Sequence, residues 1–262
     1  MNFMNFINLI NLMNFLSTHQ LINLSTKFET MKKIRVFAAL CCAAVLFAAC
    51  ETNEPNANQS NNHDPKNDTK EAVDLGLSVN WATCNVGATK PEEYGNYYAW
   101  GETDRRDNYG WDYYKYGFSR QGLIKYCGIS DYAESKKTDT LTTLQAMDDA
   151  ATANWGEPWR MPTKDEWQEL LTNCTRTWEQ KEGIKGYTLK SKINGNTIFL
   201  PAAGYRSADS GYNSGYGYYW SSSLCEETPY GAYSVYFNAD FINFPAYFRV
   251  YGYSIRPVQN KP

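Results

Sequence analysis

Any chemistry in this 262-residue chain would have to be built from a short list of side chains: adjacent carboxylate pairs, seven cysteines, two histidines and three arginines set in apolar blocks. The histidines are His19 and His63, and both precede the part of the chain with enough apolar residues to fold. That part therefore has no Ser-His-Asp triad, Cys-His dyad or His-based zinc site. Two of the carboxylate pairs, Asp148-Asp149 and Glu226-Glu227, are the candidates for acid–base work. A glycosidase needs two carboxylates about 5–9.5 Å apart across a cleft. Asp148-Asp149 falls in a helical pattern, where adjacent residues do not share a face, and is expected on a solvated surface. Glu226-Glu227 falls in a turn-like stretch beside Pro229. Arg160, Arg206 and Arg256 are expected to be structural, paired with carboxylates such as Asp165 or Glu102. Asp139-Thr140-Leu141 is similar to the bacterial O-glycosylation motif, which makes Thr140 a candidate acceptor.

All eight Trp and all 21 Tyr lie after residue 80. In strands, Tyr commonly keeps a buried ring and a wet hydroxyl, so most of these rings are expected in a core. The exception is the Gly-spaced run Gly211-Tyr212-Asn213-Ser214-Gly215-Tyr216-Gly217-Tyr218-Tyr219-Trp220. Its mix of Gly, Tyr and small polar residues matches the composition of adaptable recognition loops. The candidate ligand-binding residues are Tyr212, Tyr216, Tyr218 and Trp220 of this run, with Tyr205 and Arg206 shortly before it, for a glycan or a protein ligand.

The N-terminus sets the compartment. Residues 1–30 repeat Met-Asn-Phe and Ile-Asn-Leu units and read as translated upstream sequence, with Met31 as the start. Residues 31–49 read as a bacterial lipoprotein signal: Lys32, Lys33 and Arg35, an apolar run from Val36 to Phe47, then Phe47-Ala48-Ala49-Cys50. The apolar run is shorter than the roughly 20 residues a membrane helix needs. Lipidation at Cys50 is expected, with the membrane as partner through that anchor and the cell envelope, in the outer membrane, as location. Residues 50–71 are polar, with Pro55 and Pro65, and read as a flexible tether. Residues 72–259 are long enough for one domain.

Removing the four basic residues and one acidic residue before Cys50 from the totals of 25 and 28 leaves a formal charge of −6. No basic stripe is present, so nucleic acid is not an expected partner. Cys84, Cys127, Cys174 and Cys225 remain after the anchor cysteine, and outside the cytoplasm four cysteines allow three pairings. None is spaced as CxxC. Cys84 and Cys174, both in core-like blocks, are the expected disulfide. No metal and no cofactor is expected.

The elements that must position these residues read as α+β with short pieces. Thr163 and Glu166 form a capping box, and Trp167, Leu170, Leu171 and Cys174 follow on one helical face, so a helix is expected over 164–174. A second helix is expected over Leu144–Asn154. Strands are expected at 73–75, 78–83 and 97–100, with 103–140 as a long irregular insertion. Later strands are expected at 186–192 and 197–200 around an Asn194-Gly195 hairpin turn, then at 218–222, 232–237, 246–251 and 254–258. The partial alternation of Tyr233–Phe237 suggests that both faces of its strand are covered.

Several blocks taken together resemble a known family. They are Val73-Asp74-Leu75-Gly76-Leu77-Ser78, Trp81-Ala82-Thr83-Cys84-Asn85-Val86-Gly87-Ala88, Tyr98-Ala99-Trp100-Gly101-Glu102 and Trp159-Arg160-Met161-Pro162-Thr163. Phe199-Leu200-Pro201-Ala202-Ala203-Gly204-Tyr205-Arg206, Tyr219-Trp220-Ser221-Ser222 and Ser254-Ile255-Arg256-Pro257-Val258 complete the set. In this order they resemble the Fibrobacter succinogenes major paralogous domain family of secreted and lipid-anchored proteins. That family is similar to the formylglycine-generating enzyme group. The resemblance implies a C-type lectin-like domain with a twisted antiparallel sheet, two main helices and much irregular structure. The enzyme group's activity is not implied: its copper-binding cysteine pair near the C-terminus is absent here, where Cys225 stands alone in the last third. The calcium-dependent sugar motifs of C-type lectins, Glu-Pro-Asn and Trp-Asn-Asp, are also missing. The expected function is a non-catalytic envelope binding or adhesion module. A structural or assembly component is the alternative, and a hydrolase or oxidase ranks last.

Overall fold

The computed structural model describes residues 70–208, 210–212 and 215–261, with the side chains of 210–212 excepted. Cys50, the signal, both histidines and most of the tether lie outside the described residues. The described chain is mixed, mostly antiparallel sheet, with two α-helices.

The helix start at Thr163 organises one half of the core. The Thr163 hydroxyl accepts from the Glu166 N–H, and the Glu166 carboxylate accepts from the Thr163 N–H, which closes the capping box. The helix spans Lys164–Asn173, here α2. Its apolar face buries Trp167 and Leu170 completely. The Trp167 ring centroid sits 4.7 Å from that of Trp81 and 5.9 Å from that of Tyr219. The shorter α1, Ala150–Trp155, starts later than its pattern indicates. Residues 142–144 run extended beside a later strand instead, with Leu144 N–H bonded to Ser222 O and Leu224 N–H to Thr142 O. Asp149 then caps α1 by accepting from Thr152 N–H, which fixes where the helix begins.

Strands from both ends of the domain meet in one sheet. β1 (Ala72–Val73) pairs with β2 (Val79–Ala82), which pairs with β13 (Val258–Asn260), which pairs with β3 (Trp159–Arg160). Residues 97–100 do not form the expected strand. Tyr98 meets Tyr253 in an isolated bridge with no ladder to extend it, and the chain enters a turn at Trp100. Residues 253–257 likewise bond to their neighbours one residue at a time, so the closing strand begins only at Val258.

After α2 the chain passes directly into β4 (Cys174–Lys181), which pairs with β5 (Ile184–Ser191), which pairs with β6 (Thr197–Pro201). The β5–β6 hairpin is where Asn194-Gly195 marks it. Only Gly195 takes positive φ there; Ser191 N–H bonds to Asn196 O and Gly195 N–H to Ser191 O, giving a wider loop than a two-residue turn. The tight two-residue turn is the one before it, at Glu182-Gly183, where both φ values are positive (47° and 83°).

The remaining strands form a two-stranded sheet and a four-stranded sheet, and the second divides the core. β7 (Tyr205–Ser207) pairs with β8 (Ser210–Tyr212). β9 (Gly217–Leu224) pairs with β10 (Gly231–Phe237), which also pairs with β11 (Ile242–Asn243) and β12 (Ala246–Phe248). Successive strand residues point to opposite faces, so adjacent Tyr219 and Trp220 enter different clusters. Tyr219 joins Trp81, Trp167 and Phe237; Trp220 joins Trp100, Leu224 and Tyr253. β10 buries residues on both faces, as its weak alternation indicates.

Arg256 locks the closing segment. Its side chain is fully buried and reaches no carboxylate. Nε donates to Asn85 Oδ1 at 2.9 Å, one terminal nitrogen to the Ala82 and Thr83 carbonyls at 3.1 and 2.9 Å, and the other to Phe199 O at 2.8 Å. Burial lowers its pKa from the ordinary arginine value, partly offset by nearby Tyr219 and Cys84. An always-charged planar fork suits this arrangement because its donors are fixed in direction.

Candidate functional site

An open cleft of about 390 Å³ lies against β7, β9, β10 and β12. Tyr205 comes from β7, Tyr218 from β9, and Tyr247 and Phe248 from β12. Tyr251 and Tyr253 come from the segment after β12, and Tyr230 from the turn before β10. The segment 251–253 is carried to the cleft by paired hydrogen bonds between Arg206 and Gly252, both 2.9 Å. A Cβ on Gly252 would lie 2.7 Å from the Tyr109 ring, so only glycine lets the segment approach so closely.

The rings hold one another. Tyr205 lies 4.8 Å from Tyr218 and 5.9 Å from Tyr251 between centroids, and Tyr218 lies 5.0 Å from Tyr253 and 6.0 Å from Tyr247. Tyr230 lies 5.7 Å from Phe248. Beside the cleft, Tyr236 stacks on Tyr218 at 4.8 Å and on Tyr216 at 5.7 Å. Such pairs add about 0.5–1.5 kcal/mol each beyond area burial. The ring bed is thus set by packing, while Tyr205, Tyr218, Tyr230, Tyr247, Phe248 and Tyr251 stay half-buried. Burial, reinforced by neighbouring tyrosines, pushes the phenols of Tyr218, Tyr247 and Tyr253 above their ordinary value. They remain neutral hydroxyls, able to donate and accept hydrogen bonds.

The structure sorts the expected ligand residues. Tyr205 and Tyr218 line the cleft, and Tyr216 flanks it through Tyr236. Trp220 does not: it is fully buried, stacked on Tyr253 at 4.2 Å, with its indole N–H on Tyr98 O at 2.9 Å. Arg206 lies over the Tyr97 ring, 4.3 Å from its centroid, and does not line the cleft. The Tyr212 side chain lies outside the described residues. Tyr247, Phe248, Tyr251 and Tyr253 were not marked by the Gly-rich run. Their signal is the aromatic density of 247–253, which reads equally as a buried strand.

The expected Cys84–Cys174 disulfide is not formed. Cys84 gives its thiol hydrogen to Ala88 O at 3.5 Å in one core cluster, and Cys174 lies in the other. Cys127 and Cys225 are also buried thiols. Burial raises the Cys127 and Cys174 thiols above the ordinary value, which lowers their reactivity.

The Asp148-Asp149 pair is buried rather than solvated. Asp148 accepts from the hydroxyls of Tyr116 and Tyr126 and from Lys125 Nζ at 2.5 Å. Asp149, besides capping α1, accepts from Met161 N–H at 2.8 Å. Each carboxylate is engaged by protein donors. Arg160 pairs neither with Asp165 nor with Glu102; its fork holds Glu166, at 2.8 and 2.5 Å. Glu226 and Glu227 are both exposed. Thr140 is exposed, and the Asp139 carboxylate before it is taken by the N–H groups of Tyr126, Cys127 and Leu141. Among the described residues, no group of three or more His, Cys, Asp or Glu is placed to hold a metal. No helix among them is long and apolar enough to cross a membrane.

The buried carboxylates predict opposing acid responses. Burial pushes Asp148 and Glu166 up, but hydrogen bonds from Lys125 and the two tyrosines, and from Arg160 and Thr163, outweigh it and hold both below the usual range. Each contributes stability present above the unfolded value of about 4 and lost as pH falls through the folded value. Burial instead raises Asp149. The folded domain holds that proton more tightly, so this group adds stability as pH falls. The urea midpoint is expected to drop between about pH 5 and 3, less steeply in Asp148→Asn and more steeply in Asp149→Asn. An unchanged slope in both variants would refute the assignment.

A family model described as a domain of unknown function (DUF8237) matches residues 178–258, from within β4 to the start of β13, and so includes every residue that lines the cleft. No curated protein and no solved structure matches the chain.

Proposed function

We propose that this chain is a lipid-anchored module of the cell envelope, held in the outer membrane, that binds a glycan or peptide in the tyrosine cleft and does no chemistry on it. The observation that carries the reading is the cleft itself: half-buried rings and neutral hydroxyls converge there, with no acidic or basic side chain among its lining residues. Concave, mostly apolar sites with a few convergent polar groups are the usual form of a binding pocket. The buried carboxylates Asp148 and Asp149 do not line the cleft and are engaged in holding Tyr116, Tyr126 and α1. We read the fold as a variant of the C-type lectin-like fold. Supporting this are the capped Glu166-Trp167 helix, the strands from the two ends of the domain in one sheet, and the closing Ile255-Arg256 segment.

The test is a glycan and peptide array probed with the full-length protein and with Tyr247→Ala. Tyr247 is half-buried at the cleft, so the variant is expected to fold and to lose the hits by about tenfold or more, since a stacked ring is worth about 1–3 kcal/mol. An array with no binder above background, or hits that Tyr247→Ala leaves intact, would reject the reading. The anchor is tested separately: labelling with a fatty-acid probe is expected to vanish in Cys50→Ala, and persistent labelling would reject lipidation at that residue. The burial of Tyr219, Trp220 and Tyr253 favours the second reading, a structural envelope component whose aromatics serve the core.

A further inference from the structure

The cleft is neutral along its lining, but one end is marked by a charge. Arg120 places its guanidinium carbon 4.3 Å from the Phe248 ring centroid and 5.5 Å from that of Tyr230, both cleft residues. It is exposed and forms no ion pair among the described residues. The turn that carries it is built rather than loose. Phe118 N–H bonds to Gly122 O and Gly122 N–H to Ser119 O, both 3.3 Å, and Gly117 bridges to Leu123. A Cβ on Gly122 would lie 2.5 Å from the Phe118 ring, so the turn closes tightly on that side chain. Leu123 is fully buried in a small third cluster, against which Tyr230 also packs. The same cluster therefore fixes both the Arg120 turn and one wall of the cleft.

Stacking occupies the faces of a guanidinium and leaves its edge, where five N–H donors lie in a plane, open to solvent. That edge matches a planar carboxylate in a two-bond fork. The polar groups of the lining side chains are the hydroxyls of tyrosines and of Thr228, set among aromatic rings. A pyranose ring has the complementary pattern: C–H faces that stack on aromatics, with hydroxyls around its edge. The formal charge of −6 after Cys50 means that any attraction for an anion here is local to Arg120 rather than a property of the whole surface.

From this geometry we infer that the cleft takes an acidic oligosaccharide, its sugar faces on Tyr205, Tyr218 and Tyr247 and a uronic acid carboxylate on Arg120. The inference rests on the binding reading above and narrows its ligand class. The test is titration calorimetry of the full-length protein with a galacturonic acid tetrasaccharide, with its methyl ester, which keeps the shape and removes the charge, and with a glutamate-rich peptide. The acid is expected to bind at least about tenfold tighter than the ester, because only the ionised carboxylate makes a charge-assisted two-bond fork with the guanidinium. Arg120→Gln is expected to bring that ratio close to one while leaving ester binding in place; because Arg120 is exposed, the variant folds. Tyr247→Ala is expected to weaken acid and ester together. Equal affinity for acid and ester overturns the acidic ligand but leaves the cleft as a binding site. A peptide that outcompetes the sugar overturns the sugar. No binding by any of the three overturns this inference, and the arrays above then decide the broader reading.

Discussion

Arg256→Met is expected to lower the stability of the domain by at least about 3 kcal/mol, as removal of one side of a fully buried polar network does. The substitution keeps much of the side-chain volume and leaves the carbonyls of Ala82, Thr83 and Phe199 and the Asn85 amide oxygen without their donor. Domains of this kind are stable by only about 5–15 kcal/mol, so a large share of the margin goes with one residue. Arg256→Lys is expected to fail almost as badly. A single ammonium is a point donor and cannot face carbonyls from β2 and β6 at once. Urea denaturation followed by tryptophan fluorescence measures both; a loss below about 1 kcal/mol in Arg256→Met would show that the network relaxes around the gap.

Trp220→Ala is expected to cost about 3–5 kcal/mol, the range for deleting a large buried aromatic. Its indole lies stacked on Tyr253 and bonded to Tyr98 O, and so ties β9 to the segment 97–100. Tyr218→Ala, one strand position pair away and facing the cleft, is expected to cost less and to act on ligand binding. The contrast separates a core residue from a surface one within a single run of sequence. Equal losses of stability in the two variants would mean that the cleft rings are part of the core, which would favour the structural-component reading.

The local features of this fold were legible and the distant ones were not. The capping box at Thr163 and Glu166 could be read because every atom involved lies within four residues. The β5–β6 hairpin was marked by Asn194-Gly195 for the same reason. β4 escaped notice because Thr175–Lys181 has no apolar alternation; it is held by its ladder to β5 and by the turn at Glu182-Gly183, where a glutamate takes the left-handed conformation. Asp148 read as a surface residue because its partners Tyr116, Lys125 and Tyr126 are more than 20 residues earlier, in a stretch that looked like irregular insertion. The cleft was half visible. Tyr205 and Tyr218 stood in or beside the Gly-spaced run, but the opposite wall comes from 247–253, and Arg120 from the insertion. In β9, Tyr218 and Trp220 share one face and one cluster while Tyr219 enters the other, so composition and alternation marked the strand without saying that the cleft opens at Tyr218 and closes over Trp220.

β13 lies between β2 and β3, with Val258 opposite both Trp81 and Arg160. A ribosome making this chain must therefore finish residues 258–260 before β2 and β3 have the strand that joins them, although β1 and β2 can pair earlier. Pairings so far apart in sequence form late and slowly. The seam between β2 and β3 therefore stays open through nearly all of synthesis and closes only once β13 has been made.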